Sequence, residues 1–181
     1  MKTKNMTFTA MAAVILALCA WIKIPAAVPF TLQTFGIFLV LNLLGGKRGT
    51  LSILVYILLG AVGIPVFAGF TGGPAVLFGS TGGYILGFLL CGVVYWLAEK
   101  LPVLGKLRFL AANVLGLVLC YGFGSWWFML VAAKGGTVYS FGAVISMCVV
   151  PFILPDCIKL GVAWAVGKRM QAALKGIIPI Q

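Results

Sequence analysis

The 181-residue sequence contains no histidine and only two acidic residues, Glu99 and Asp156. The absence of histidine excludes a His-ligated zinc or haem site and any His-based catalytic triad. Chemistry on paired carboxylates would need both acids at one place, and the topology below puts them at opposite membrane faces. No G-x-x-x-x-G-K-[ST] occurs, so ATP hydrolysis through a P-loop is excluded. The five cysteines show no C-x-x-C spacing and fall one per apolar stretch, as small fillers of close contacts do. Charge is scarce at 8% of residues, where a soluble domain carries about a quarter. Apolar residues make up 63% of the chain and the mean hydropathy is +1.20. Such a chain cannot cover itself with polar surface, so a soluble globular protein is excluded. Disorder fails as well, because it needs low hydrophobicity. What remains is an integral membrane protein.

A helix crosses a bilayer in about 20 residues, which gives this chain room for about six spans in one domain. The first apolar run covers 7–22, after Lys2 and Lys4. It is read as an uncleaved helix rather than a signal peptide, because the residues beyond the weak site at Leu18-Cys19-Ala20 are equally apolar. Pro25 and Pro29 make Pro25 to Thr34 a loop. Further runs cover about 34–45, 49–64, 83–98 and 108–132, and each ends at glycines, proline or charge. Residues 66–82 hold too many glycines for a helix. The last span is expected from Pro155-Asp156 to Lys168-Arg169, since proline suits a first helical turn. Residues 138–150 are then a short surface or re-entrant helix, the alternative being one long helix kinked at the prolines. The expectation is an all-α integral membrane protein with six transmembrane helices.

The net charge of +11 is not a nucleic-acid signal, because the cations lie in pairs between apolar runs. Six spans put ten of them on the side of the termini: Lys2, Lys4, Lys47, Arg48, Lys100, Lys106, Arg108, Lys168, Arg169 and Lys175. Two, Lys23 and Lys134, lie on the other side, and Lys159 lies within the last span. Positive charge favours the cytoplasmic side, so both termini are expected to be cytoplasmic. No internal repeat of the kind that builds inverted-repeat transporters is visible.

Asp156 and Lys159 are three residues apart and share a helix face. A charge within a span is expensive and faces a partner, a cavity or a ligand. Two readings stay open: an ion pair locking the last helix to the bundle, or a polar anchor for a small ligand. A helix N-terminus at Pro155 would also favour the carboxylate through the helix dipole. The uncharged outer loop 66–84 supplies Phe70, Phe78, Thr81, Gly82, Gly83 and Tyr84. Its aromatics can line an apolar pocket, with Thr81 and backbone amides as donors, or the loop is an ordinary connection. The outer loop at 28–35 brings Phe30, Thr31 and Gln33 to the same side. Polar groups converging within apolar walls are characteristic of ligand sites. Small residues at four-residue spacing occur at Ala13/Ala17, Gly83/Gly87/Cys91 and Gly116/Cys120/Gly124, and they let helices approach closely in lipid. For the latter two, internal packing is expected. For Ala13 and Ala17, internal packing and a partner protein stand level. Trp126 and Trp127 suit an aromatic belt or a pocket wall.

Three stretches together resemble the BioY family, the biotin-binding S components of energy-coupling-factor (ECF) vitamin transporters. They are Val28-Pro-Phe-Thr-Leu-Gln-Thr-Phe35, Gly73-Pro-Ala-Val-Leu-Phe-Gly-Ser-Thr-Gly-Gly-Tyr84 and Pro151-Phe-Ile-Leu-Pro-Asp-Cys-Ile-Lys159. Ser80 and Leu154-Pro155 depart from the family pattern, at backbone positions beside the polar groups. The resemblance implies a multi-pass protein of the bacterial plasma membrane that captures biotin from outside, with biotin as ligand and no cofactor. It implies uptake with a separate ECF module, a membrane coupling subunit and two ATPases, consistent with the missing P-loop. It gives Ala13 and Ala17 the role of meeting the coupling subunit. Asp156 and Lys159 match the two N–H donors and the carbonyl of a ureido ring; Lys159 suits the carboxylate equally. The rival readings are an S component for another vitamin, a stand-alone biotin carrier, and a membrane enzyme or scaffold. The titratable stock is too thin for the enzyme.

Overall fold

The computed structural model describes residues 2–24, 30–101, 105 and 107–173. Pro25, Val28, Pro29, Lys106 and Lys175, which entered the loop and charge arguments above, lie outside the described residues. Helices dominate, as they must where lipid offers the backbone no hydrogen-bond partner. In order they are α1 (Lys2–Trp21), α2 (Gln33–Ala61), α3 (Pro74–Phe78), α4 (Gly82–Ala98), α5 (Arg108–Lys134), α6 (Phe141–Cys148) and α7 (Val150–Ala173). Two strands of two residues each, β1 (Lys23–Ile24) and β2 (Phe30–Thr31), pair antiparallel with Lys23 opposite Thr31. Part of the loop expected at 25–34 is therefore flanked by a small ribbon.

The helix count differs from the six expected. The described residues form seven helices, of which four (α1, α2, α5 and α7) are both long and apolar enough to cross a membrane. The difference has two sources. The runs expected at 34–45 and 49–64 belong to one helical element of 29 residues, and two short helices, α3 and α6, lie between the long ones.

The long element α2 is not straight. In a straight helix, residues 23 apart would be about 34 Å apart, yet Gln33 Nε2 donates to Tyr56 OH at 2.8 Å. The chain reverses at Gly45, whose φ of 76° and ψ of 173° are open only to glycine. The two arms, 33–44 and 46–61, pack antiparallel, so closely that a Cβ on Gly49 would sit 3.3 Å from the Leu41 Cα. The reversal is pinned from α4: Glu99 Oε1 accepts from the Gly46 N–H at 2.8 Å. One of the two acids is thereby committed to the fold.

The other differences have local causes. Pro74 starts the five-residue α3 inside the glycine-rich stretch, where its fixed φ is already helical. Helix α7 begins at Val150, not Pro155, and Pro155 lies inside it. The break falls instead at Val149 (φ −125°, ψ −55°), which separates α6 from α7. Asp156 is then beyond the first helical turn, where the dipole has faded, and the help expected from it is absent.

Helices α4 and α5 pack through the small residues read from the sequence. A Cβ on Gly87 would lie 2.8 Å from the Cys120 Sγ, and one on Gly116 would lie 2.8 Å from the Cys91 Cα. Helix α7 lies on the first arm of α2, where Gln171 Nε2 donates to the Asn42 carbonyl at 2.6 Å. The outward faces are apolar. Val14 and Leu18 on α1, Val118 on α5, and Leu154, Ile158 and Val162 on α7 are all exposed. A continuous apolar exterior of this kind is a lipid-facing surface.

Candidate functional site

At the end of the bundle marked by the β1–β2 ribbon lies a cavity of about 800 Å³, its open mouth included. One wall is polar. Its centre is Asp156, 2% exposed, on the inward face of α7. One carboxylate oxygen, Oδ1, accepts from Thr34 Oγ1 at 2.8 Å and from Lys159 Nζ at 2.7 Å. The other, Oδ2, accepts from Tyr121 OH at 2.6 Å. A carboxylate offers about four acceptor positions, so three protein donors leave one.

Lys159, 7% exposed, is equally committed. Besides Asp156, its ammonium donates to the Thr31 carbonyl at 2.7 Å and to Thr34 Oγ1 at 3.1 Å. It also lies 4.1 Å from the centre of the Phe30 ring, a cation–π distance. All three ammonium protons have protein acceptors, and the contact to Thr34 is the longest. The three-residue spacing explains why Asp156 and Lys159 meet, and the ribbon explains the rest: it brings the Thr31 carbonyl and the Phe30 ring over α7. The ion-pair lock and the cavity wall are the same cluster.

The opposite wall is apolar. Phe67, 1% exposed, folds inward from the loop after α2 and meets Tyr56 edge-on at 5.5 Å. Phe88 and Ile85 come from α4, Leu117 from α5 and Phe152 from α7. Tyr84 lines the cavity with its hydroxyl 3.1 Å from Ser125 Oγ, and Trp127 Nε1 holds the loop by donating to the Gly79 carbonyl at 3.0 Å. The arrangement suits a small, largely apolar ligand with one compact polar group directed at α7 and α5.

Of the residues singled out in the sequence, Asp156, Lys159, Tyr84, Thr31, Gln33 and Thr81 line this cavity. Phe30 lies behind the polar wall, stacked on Phe152 at 6.0 Å. Gly82 and Gly83 are packing positions: a Cβ on Gly83 would fall 2.3 Å from the Trp127 Cβ. Phe70 and Phe78 are displaced from the cavity. Phe70 is 64% exposed and stacks on Trp21 at 4.8 Å, and Phe78 is 70% exposed. Ala13 and Ala17 are buried against the chain's own core, not displayed to a partner.

The sequence reading missed Tyr121 and Thr34, two of the three donors to Asp156. Tyr121 had a signal, being a hydroxyl beside the small-residue stripe of α5. Thr34 had one too, lying within the quoted loop stretch.

This fold and site define an all-helical membrane protein with a small-molecule cavity opening at one end of its bundle. The sequence profile of the BioY family matches residues 1–176. The chain is 45% identical over 154 residues to the biotin transporter BioY of Thermotoga maritima, covering 84% of this chain and 86% of that one. It is 38% identical over 172 residues to the probable biotin transporter BioY of Pyrococcus horikoshii, covering 94% and 98%. Its fold is similar to the crystal structure of the S component for biotin from an ECF-type ABC transporter. The TM-score is 0.80 at 27% identity, over 94% of this chain and 92% of that one. The chain belongs to the BioY family.

Proposed function

We propose that this chain is the biotin-binding membrane subunit of an ECF-type uptake system. The observation that carries the reading is the buried Asp156–Lys159–Thr34–Tyr121 cluster facing an aromatic-walled cavity. A ureido group presents two N–H donors and a carbonyl at one end of an otherwise apolar molecule. Asp156 has one acceptor position left, the Tyr121 oxygen can accept, and Lys159 can exchange its long contact to Thr34 for a ligand carbonyl. The walls formed by Phe67, Phe88 and Phe152 suit the thiophane ring and the aliphatic chain. Relatives named as biotin transporters over nearly the full length support the same ligand. The chain is a transport subunit, not an enzyme.

The proposed topology has six crossings with both termini cytoplasmic. Counting the two arms of α2 separately, the crossings are α1, the arms, α4, α5 and α7. The arms are supported by the reversal at Gly45, and the orientation by the ten-to-two distribution of cations. The cavity then opens outward, with Thr31, Gln33, Thr81 and Tyr84 among its ligand contacts. Uptake depends on a coupling subunit and two ATPases, because this chain carries no nucleotide-binding loop. Since Ala13 and Ala17 are buried, their meeting with a coupling subunit requires α1 to part locally from α2.

Isothermal titration of the purified chain with biotin, with thiamine and riboflavin as controls, tests the reading. One-to-one binding of biotin alone supports it. Binding of a control vitamin instead, or none by a folded sample, overturns it.

A further inference from the structure

Two segments frame the mouth of the cavity. Thr31 lines it from the β1–β2 ribbon, and Phe67, Ala68 and Thr71 line it from the loop after α2. That loop is docked on the end of α1. Trp21 Nε1 donates to the Pro65 carbonyl at 2.9 Å, and the Trp21 ring stacks on Phe70 at 4.8 Å. Lys23 joins the two segments. It pairs with Thr31 across the ribbon, so the two side chains share one face. Its ammonium lies against Gly69 of the loop, where a Cβ would collide with Nζ and stand 3.0 Å from Cε. Lys23 is exposed, and among the described residues it has no ion-pair partner. Both acids of the chain are engaged elsewhere, Glu99 by the Gly46 N–H and Asp156 by Lys159.

A largely apolar ligand that is also a carboxylic acid must bring its carboxylate to a cation or to water, because burying an unpaired carboxylate is very costly. Among the described residues Lys159 is the one cation that lines the cavity. Its charge is already matched by Asp156 at 2.7 Å. A second carboxylate there would face Asp156 and leave a buried negative charge uncompensated. With the ureido group on α7, the aliphatic chain runs from that wall to the mouth. We propose that Lys23 recognises the ligand's carboxylate at the mouth and so favours the free acid over its neutral amide. This assignment rests on the biotin reading above and adds the end of the molecule that the buried cluster does not recognise.

Isothermal titration of the full chain in detergent with biotin and with biotin amide, which lacks the negative charge, tests it. An exposed ion pair contributes up to about fivefold in affinity. The parent should therefore bind biotin about fivefold more tightly than the amide, and less selectively in 1 M salt. Lys23→Gln should bring biotin down to the level of the amide, and Lys23→Glu should take it roughly fivefold lower still. The amide's own affinity should stay unchanged in both variants, which also shows that they are folded. Lys134→Gln removes an equal charge from the end of α5, outside the cavity lining, and should leave the preference intact. A preference that survives in Lys23→Gln overturns the proposal and places the carboxylate on Lys159. Equal binding of biotin and amide by the parent overturns it as well, while the biotin reading stands. Equal loss of both ligands in Lys23→Gln would make the residue a prop for the loop, and equal loss of preference in Lys134→Gln would make the effect one of net charge; either overturns it. A folded parent that binds neither ligand overturns the biotin reading and this assignment with it.

Discussion

The polar cluster on α7 admits two roles, a lock on the bundle and an anchor for ligand, and a pair of substitutions separates them. In Asp156→Asn the fold stays closely packed, but Lys159 loses its counter-charge while keeping its contacts to the Thr31 carbonyl and Thr34 Oγ1. Removing one member of a buried ion pair costs about 3–5 kcal/mol. The two surviving acceptors reduce this, so a destabilisation of about 2–4 kcal/mol is expected. In the double variant Asp156→Asn, Lys159→Met no charge is orphaned, and most of that stability should return. Biotin affinity should not return with it. Hydrogen bonds to charged groups contribute about 1.5–3 kcal/mol each, so affinity should fall roughly ten- to a hundredfold in both variants. Thermal unfolding in detergent reads the first quantity and isothermal titration the second. A double variant that binds biotin as tightly as the parent would refute the anchor. A double variant less stable than Asp156→Asn alone would refute the argument from the orphaned charge.

Four further outcomes are expected. Tyr121→Phe removes the donor to Asp156 Oδ2 and should weaken biotin by about 1–3 kcal/mol in titration, with little effect on helicity by circular dichroism. Gly45→Ala puts a side chain at φ 76°, ψ 173° and should cost about 1–3 kcal/mol of stability by thermal unfolding; no change would contradict the reversal of α2. Gly83→Ala places a Cβ against Trp127, so the α4–α5 contact must open; the unfolding temperature should fall, and biotin affinity with it because Tyr84 is the next residue. Lys134→Cys should react with an impermeant maleimide added to intact cells, and Lys100→Cys only after permeabilisation; the reverse pattern would overturn the proposed orientation.

Much of the site was legible because charge is rare in this chain. In a sequence with two acids, an Asp three residues from a Lys within an apolar run identifies itself, and their meeting follows from helical spacing alone. The small-residue positions of α4 and α5 were legible for a similar reason, since close approach in lipid leaves a stripe of Gly and Cys. The reversal of α2 was half legible: Gly45-Gly46 marked an interruption, but not that one helical element folds back on itself there.

What the sequence determined by itself is therefore the membrane class, the sites of interruption, and the polar pair on α7. What only the tertiary structure decided is which way each helix and loop faces. Ala13 and Ala17 turn into the bundle, Phe70 and Phe78 turn out of the cavity, and Phe67 and Tyr121 turn into it. In a soluble helix an apolar stripe against a polar face would have announced these rotations. Here lipid and core are equally apolar, so most of the chain carries no such contrast. The orientation is set by shape complementarity between helices, and by Thr34 and Tyr121 converging from two other helices on the one carboxylate of α7.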